Sequence, residues 1–333
     1  MSIELPKFTI KQLLEAGVHF GHKTMRRNPK MAKYVHTNRN GLSIIDLNKT
    51  ANLLHNSLKI VKEIAKNNGR ILFVATKKQA TEPVAEAAKR CGQYYVNFRW
   101  LGGMLTNWKT VSQSIKTLKK IEEQLADTEV GYNKKEKVVL EKQRIKLEQA
   151  LGGIKNMGGY PDLVFIIDTN KEALAVAEAK KLNVPIMAIL DTNCDPEGIA
   201  YPIPGNDDSA KSVKLFCRLI SDAAIAGVKE NMALAGIDIS KLEGEDLQAN
   251  LDKMKKTEEK PAKKHHEVKK DAEHKSEHKH EKKEFTKKPK AEEAKSEKSD
   301  KKPAHKGKVE KSDKKSDVKV VTKKPTKKAP AKK

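Results

Sequence analysis

Three short apolar runs constrain the fold of this chain more than any other feature of its sequence. Arg70–Ala75 has the sequence RILFVA, Leu163–Asp168 is LVFIID, and Val184–Leu190 is VPIMAIL. A run that is apolar at consecutive positions predicts a strand covered on both faces, because a half-exposed strand would alternate. Strands of this kind belong to parallel sheets that lie between two layers of helices.

Helical segments separate the apolar runs, as parallel strands require. Ala51–Lys66 repeats apolar residues at three- and four-residue steps, which indicates a helix with one buried face. The other predicted elements are helices at Gln79–Arg90, Lys171–Lys181 and Ser209–Val228, the last preceded by a capping run at residues 206–208, and strands at Gly41–Asp46 and Tyr94–Phe98. The alternation predicts an α/β fold with a parallel sheet.

The alternation is interrupted between Thr106 and Met157, where no strand pattern occurs. Apolar residues recur there at helical spacing on both sides of Gly131. They are Val111, Ile115, Leu118, Ile121 and Leu125, then Leu140, Leu147, Leu151 and Ile154. Two helices with narrow apolar seams, crowded elsewhere with Lys and Glu, predict an antiparallel coiled-coil hairpin at 107–156, inserted into a body at 1–106 and 157–230. The alternative is an ordinary pair of helices covering the sheet.

The composition changes near Leu251. Residues 251–333 carry 31 Lys against 16 acidic residues, and they account for +15 of the net charge of +24. With few large apolar side chains, this stretch is predicted to be a disordered tail, joined to the body by a transition segment at 231–250. The remaining +9 keeps the body basic. Such a charge fits a polyanionic partner, and it fits a solubilising surface equally well, so charge alone leaves both open.

Cysteine usage and hydropathy indicate a soluble chain in a reducing compartment, the cytoplasm. Cys91, Cys194 and Cys217 stand far apart without CxxC spacing, which predicts neither a disulfide framework nor a zinc knuckle. Met1 to Ile10 has no apolar signal core, and the apolar runs are too short to cross a bilayer, so no membrane partner is expected.

The segment from Gly17 to Lys33, here called the basic loop, is the strongest candidate for a binding site. Its predicted RNA-binding residues are His19, His22, Lys23, Thr24, Arg26, Arg27, Asn28, Lys30 and Lys33. Arg presents a fork of donors that fits phosphate, Lys a point charge, and Gly allows the backbone to approach RNA closely. Pro29 predicts that the segment is largely loop. The alternative is a solvated basic loop without a partner.

Three other kinds of site are not favoured. GVHFGHKT departs from the phosphate-loop motif in the spacing of its glycines, and Ile10–Ala16 looks helical where that motif needs a strand. His19 and His22 have no acidic or Cys neighbour in the sequence, so no metal and no cofactor are predicted. Asp168 and Asp191–Asp195 follow strands without a nucleophile or a nearby His, so they predict turns and caps rather than catalysis on a small-molecule substrate.

A second candidate cluster is Phe98–Trp108, FRWLGGMLTNW, at the start of the predicted hairpin. Arg99, Trp100 and Asn107 are predicted to stack on RNA or to form hydrogen bonds with it. The alternative, favoured for Trp108 and equally open for Trp100, is that the tryptophans pack where the hairpin joins the body.

Four motifs resemble the family of bacterial small-subunit ribosomal protein number two: AGVHFGHKT…NPKM from Ala16 to Met31, Phe98–Thr110, Leu151–Asp162 and Ala188–Asp208. The resemblance covers about residues 5–230. It implies a flavodoxin-like three-layer sandwich with a five-stranded parallel sheet and a helical-hairpin insertion, and no enzymatic activity.

The resemblance also implies docking on small-subunit ribosomal RNA where the head meets the body, beside other ribosomal proteins including the large messenger-binding one built of OB repeats. The long Lys/His-rich tail departs from the family. A free-standing RNA-binding or RNA-processing factor on the same fold is the alternative function.

Overall fold

The computed structural model describes residues 3–127 and 132–234, which form seven α-helices and eight strands. The first half contains α1 (Ile10–Glu15), β1 (Phe20–Lys23), β2 (Val35–Arg39), β3 (Leu42–Ile45), α2 (Leu47–Lys66), β4 (Ile71–Val74), α3 (Thr81–Arg90) and β5 (Tyr94–Val96). The second half contains α4 (Trp108–Ala126), α5 (Lys134–Leu151), β6 (Leu163–Ile167), α6 (Ala173–Lys181), β7 (Ile186–Leu190), β8 (Tyr201–Pro204) and α7 (Ala210–Leu234).

A five-stranded parallel sheet lies at the centre, in the order β5-β4-β6-β7-β8. Every side chain of β4, β6 and β7 is buried, which is why their sequences are apolar at consecutive positions. Numbered within the sheet, the order is 2-1-3-4-5, that of flavodoxin-like folds. The predicted α/β class and the five-stranded parallel sheet are confirmed.

Two strands differ from the prediction. The fifth parallel strand is β8, YPIP, which the sequence pattern did not reveal because two prolines interrupt it; Pro is tolerated since β8 is an edge strand. The predicted strand at Gly41–Asp46 exists as β3, but it pairs antiparallel with β1 and β2 in a separate three-stranded sheet. Its alternating burial fits a sheet with only one covered face.

Helices cover both faces of the parallel sheet and form two separate cores. Alternate strand residues point to opposite faces, so Phe73 packs with α1, α2, α3 and α7, while Leu72 packs with α6 and the segments around α4 and α5. Helices α2 and α7 approach very closely: a Cβ on Gly227 would lie 2.2 Å from the carbonyl oxygen of Lys62. The predicted three-layer sandwich is therefore present.

Helices α4 and α5, here called the arm, pack against each other where the hairpin was predicted. The roots of the arm are embedded in the body, because Val111, Ile115 and Leu151 belong to the second core. Ile154 lies in a 3-10 turn rather than in the helix. Gly131, between the two predicted helices, lies outside the described residues, and the division into body and arm stays a prediction.

Helix α7 continues past the predicted end at Val228 to Leu234. The rest of the predicted transition segment, and the whole tail 251–333 predicted to be disordered, lie outside the described residues. None of the helices in the described part of the chain combines the length and hydropathy that a membrane crossing needs. All three cysteines are buried free thiols.

Candidate RNA interface

The basic loop is more regular than predicted. It begins as β1, which pairs with β3, and continues through two 3-10 turns at Thr24–Arg26 and Pro29–Tyr34. Pro29 opens the second turn, and the Asn28 side chain caps it by accepting a hydrogen bond from Lys30 N at 2.9 Å. The preceding segment is helix α1, as predicted, so the strand that a phosphate loop needs is replaced by a helix.

The end of β7 holds the loop in place. Thr192 Oγ1 accepts a hydrogen bond from His22 N at 2.9 Å, and the Thr192 carbonyl oxygen accepts one from Asn28 N at 2.8 Å. The two contacts lie on either side of the segment that contains Lys23, Arg26 and Arg27. Hydrogen bonds to Thr192 therefore fix both ends of this part of the basic loop to the end of β7.

His22 faces the protein interior. Its Nδ1 lies 2.9 Å from Asp191 Oδ2, its Nε2 lies 3.4 Å from Asp208 Oδ2, and its side chain is 17% exposed. The hydrogen bond to Asp191 is the main cause that raises the pKa of His22, and the charges of Asp191, Asp208 and Asp207 act in the same direction against burial. The sequence shows no acid beside His22, but the fold brings three to it from the C-terminal half.

Three further candidates of the basic loop make internal contacts. Lys30 Nζ lies 2.8 Å from Asp195 Oδ2 and also pairs with Glu197. The His19 ring packs at a tilt against the Phe20 ring, with centroids 4.0 Å apart, and burial lowers the pKa of His19. Asn28 is the cap described above. These contacts favour a structural role for His19, His22, Asn28 and Lys30 over direct contact with RNA.

The other candidates of the basic loop are exposed: Lys23, Thr24, Arg26, Arg27 and Lys33. Lys33 lies over the ring of Tyr34, with Nζ 4.9 Å from the centroid. Within the described part of the chain, Lys23, Arg26 and Arg27 form no ion pair. Their charges are thus available to an anionic partner.

A hairpin that the sequence did not single out extends this surface. Lys23 on β1 and Arg39 on β2 both pair in register with Leu42 of β3, so the two cations stand on one face of the small sheet. The hairpin turns at Asn40 and Gly41, both with positive φ, and Thr24 N donates to the Gly41 carbonyl oxygen at 3.0 Å. The Asn-Gly dipeptide is the signal that could have revealed it.

The second predicted cluster lies at the root of the arm. Trp100 is 6% exposed, and its indole Nε1 donates to Glu178 Oε1 at 3.1 Å, which favours the packing alternative. Arg99 and Asn107 are exposed, while Trp108 packs against the second core, as favoured. Among the described residues, no hydrogen bond or ion pair connects this cluster with the basic loop.

Glu178, on α6, was missed by the sequence reasoning because it lies far along the chain from the cluster that it organises. Its carboxylate also accepts hydrogen bonds from Gly103 N at 2.8 Å, from Leu105 N at 2.9 Å and from Thr106 N at 3.1 Å. Burial raises the pKa of Glu178, but these donors outweigh that effect and hold the pKa below its ordinary value.

The carboxyl edge of the parallel sheet, where such folds bind ligands, is filled by the protein's own charges. Lys77 Nζ lies 2.7 Å from Asp207 Oδ1, 2.6 Å from Asp208 Oδ1 and 3.4 Å from Asp168 Oδ2. Burial, reinforced by Asp168, raises the pKa of Asp207 to about 7. Asp168 also accepts from Asn170 N and Lys171 N, the turn role predicted for it.

Some of these side chains have the geometry of metal ligands. His22, Asp191, Asp207 and Asp208 place one donor atom each within 4.8 Å of one another, and Asp168, Cys194 and Asp207 do the same. Nitrogen and carboxylate donors at this spacing could hold a divalent cation, although Lys77 already supplies a positive charge there. The predicted absence of a metal stays a prediction.

Comparison with known proteins agrees with this architecture. A family model described as Ribosomal protein S2 matches residues 13–227. The small ribosomal subunit protein uS2 of Brucella anthropi is 57% identical over 235 residues, which are 71% of this chain and 92% of that protein.

Two further proteins of the same description are similar to this chain. The protein of Caulobacter vibrioides is 58% identical over 71% of this chain and 88% of its own length. The protein of Mesorhizobium japonicum is 54% identical over 76% of this chain and 98% of its own length. A family model that matches most of the described residues, and relatives above half identity, are decisive. The chain belongs to the ribosomal protein S2 family.

Proposed function

We propose that this chain binds small-subunit ribosomal RNA through the exposed cations of the basic loop and of the β2–β3 hairpin. It is a structural, non-enzymatic constituent of the small ribosomal subunit, as its family membership and its relatives indicate, and it acts in the cytoplasm where ribosomes translate. The family resemblance supports a position where the head of the subunit meets its body.

One observation carries the proposal of RNA contact. Lys23, Arg26 and Arg27 are exposed beside the neutral donor Thr24, and no acid in the described part of the chain pairs with the three cations. Arg39 adds a fourth cation on the same small sheet. Arginine guanidinium groups and a lysine ammonium group on an ordered backbone are suited to bind the phosphates of folded RNA. We also assign Lys33, Arg99 and Asn107 to the interface as secondary contacts, because they are exposed.

The protein neighbours are proposed on resemblance. We expect other small-subunit proteins beside this chain, among them the large messenger-binding ribosomal protein built of OB repeats. The motifs that support this expectation are those at Ala16–Met31 and Ala188–Asp208, which come together at the end of β7.

Co-sedimentation tests the function. The wild-type chain should sediment in a sucrose gradient in a one-to-one ratio with small subunits. The double variant Arg26→Glu/Arg27→Glu should be largely lost from that peak, because two attractive charges become repulsive. A matched control, Lys11→Glu/Lys59→Glu, changes the same charge at exposed positions on α1 and α2 and should sediment like wild type. A sub-stoichiometric wild-type chain would support the free-standing factor instead.

A further inference from the structure

Asp191 directly follows β7 and lies behind the basic loop, with its side chain 1% exposed. It contacts His22 twice: Oδ2 pairs with the ring Nδ1 at 2.9 Å, and Oδ1 accepts from the backbone N at 3.2 Å. A buried carboxylate that holds both the ring and the backbone of one residue fixes the direction in which the chain continues. The residue that continues from His22 is Lys23.

The neighbouring residue, Thr192, completes the attachment. It accepts from His22 N through Oγ1 and from Asn28 N through its carbonyl oxygen. Gly21 lies so close that a Cβ there would be 2.6 Å from Thr192 Cγ2. Asp191 and Thr192 therefore hold the basic loop at His22 and Asn28, on either side of Lys23, Arg26 and Arg27. Both residues directly follow a strand that is fully buried.

The exposed cations need such an attachment. Lys23, Arg26 and Arg27 repel one another, and no acid in the described residues neutralises them. A loop held only by its ends would sample many arrangements, and RNA would then have to order it at a cost in affinity. Attachment through backbone atoms and the inward-facing His22 orders the loop while leaving its cations free.

We infer that Asp191 is a positioning residue for RNA binding: acting through His22, it holds the basic loop in the arrangement that RNA recognises, without touching RNA itself. The inference rests on the proposed function. Through this positioning, the buried Asp191 side chain strengthens the binding of RNA. Its negative charge has the opposite effect, because a negative charge near the interface repels RNA through space.

This opposition of sign provides the test. The full-length chain, with in-vitro-transcribed small-subunit ribosomal RNA as the probe, is titrated over a series of salt concentrations. Asp191→Asn should weaken binding about tenfold through lost preorganisation. The slope of log affinity against log salt should stay that of wild type, because no phosphate contact is lost. Amide exchange at His22 and Asn28 should accelerate while exchange in β4 and β6 stays unchanged.

Two further variants keep the test sharp. Thr192→Val removes the nearer of the two acceptors of the His22 amide without changing any charge. It should therefore also weaken binding, and it would carry the test if Asp191→Asn failed to fold. Glu15→Gln removes an exposed negative charge on α1 and should bind RNA as tightly as wild type or more tightly.

Each outcome decides the inference. Equal or tighter binding by a folded Asp191→Asn, or by Thr192→Val, would overturn it. So would a reduced salt slope, which would mean that a phosphate contact had been lost. If Arg26→Gln and Arg27→Gln also left binding unchanged, the proposed function itself would have failed. If those two variants weakened binding while Asp191→Asn and Thr192→Val did not, only the positioning role would be wrong.

Discussion

Trp100 donates its indole N–H to Glu178 at 3.1 Å, at the point where the arm leaves the body. The same carboxylate accepts from the backbone of Gly103, Leu105 and Thr106 and from the Thr106 hydroxyl, so a single side chain of α6 satisfies five donors of the turn. A turn with buried N–H groups needs such an acceptor, because unpaired donors are costly. Glu178 therefore determines how the arm is rooted.

Glu178→Gln should destabilise the folded chain. The amide nitrogen would replace one acceptor oxygen and face N–H groups that also need an acceptor, at a cost of about 1–3 kcal/mol. Chemical denaturation would measure the change in the free energy of unfolding. Glu123→Gln, at an exposed position on α4, is the matched control and should be close to neutral. Equal stabilities of the two variants would contradict the role given to Glu178.

The same carboxylate predicts a pH dependence. Its folded-state pKa lies below the ordinary value of 4.5, so the stability that it contributes is fully present above pH 4.5 and is lost as the pH falls through the folded pKa. The difference in unfolding free energy between wild type and Glu178→Gln should therefore be constant at neutral pH and shrink at acidic pH. A difference that stayed constant through this acidic range would show that the fold does not lower the pKa of Glu178.

Gly21→Ala should disturb the basic loop from within. A Cβ at this position would lie 2.6 Å from Thr192 Cγ2 and 2.9 Å from the Ser43 carbonyl oxygen, and the second neighbour is backbone that cannot turn aside. β1 should shift away from the end of β7, at a cost of about 1–3 kcal/mol. Thermal unfolding and RNA affinity should both fall. Gly102→Ala, where a Cβ meets nothing within 4 Å, is the control.

The arm should be dispensable for the fold only beyond its roots. Replacing 118–146 with a Gly-Ser linker should leave a cooperative thermal transition, because none of the described residues in that range belongs to either core. Replacing the whole segment 108–156 should destabilise the body, since Val111, Ile115 and Leu151 belong to the second core. Unfolding of the shorter deletion would show that the arm is part of the core along its full length.

The central strands could be predicted well from the sequence, because strands that are buried on both faces are apolar at consecutive positions. β4, β6 and β7 are buried on both faces, so each appears as a continuous apolar run. The periphery was harder. β8 carries Pro202 and Pro204, and β1 and β2 are short, mostly exposed strands whose composition resembles loop. Their pairing depends on partners, and partners are not visible in a local pattern.

The sequence identified the basic residues of the candidate site, but it did not reveal which of them are paired with acids of the protein. The sequence shows that Lys30 and Arg26 are both cations, but it does not show that the chain places Asp195 against Lys30 and no described acid against Arg26. His22 looked like its basic neighbours, yet it faces Asp191, a residue 169 positions away. Only tertiary contacts of this kind separate a side chain that supports the loop from one that is free to bind.

RNA binding by this chain depends, in our proposal, on contact between the exposed cations of the basic loop and RNA phosphates. The most direct measurement is the salt dependence of affinity for small-subunit ribosomal RNA, with wild type compared with Arg26→Gln/Arg27→Gln in the full-length chain. Each lost phosphate contact should lower the slope by roughly 0.7–0.9, so the double variant should bind more weakly with a slope smaller by about 1.5. An unchanged affinity and slope would contradict the claim.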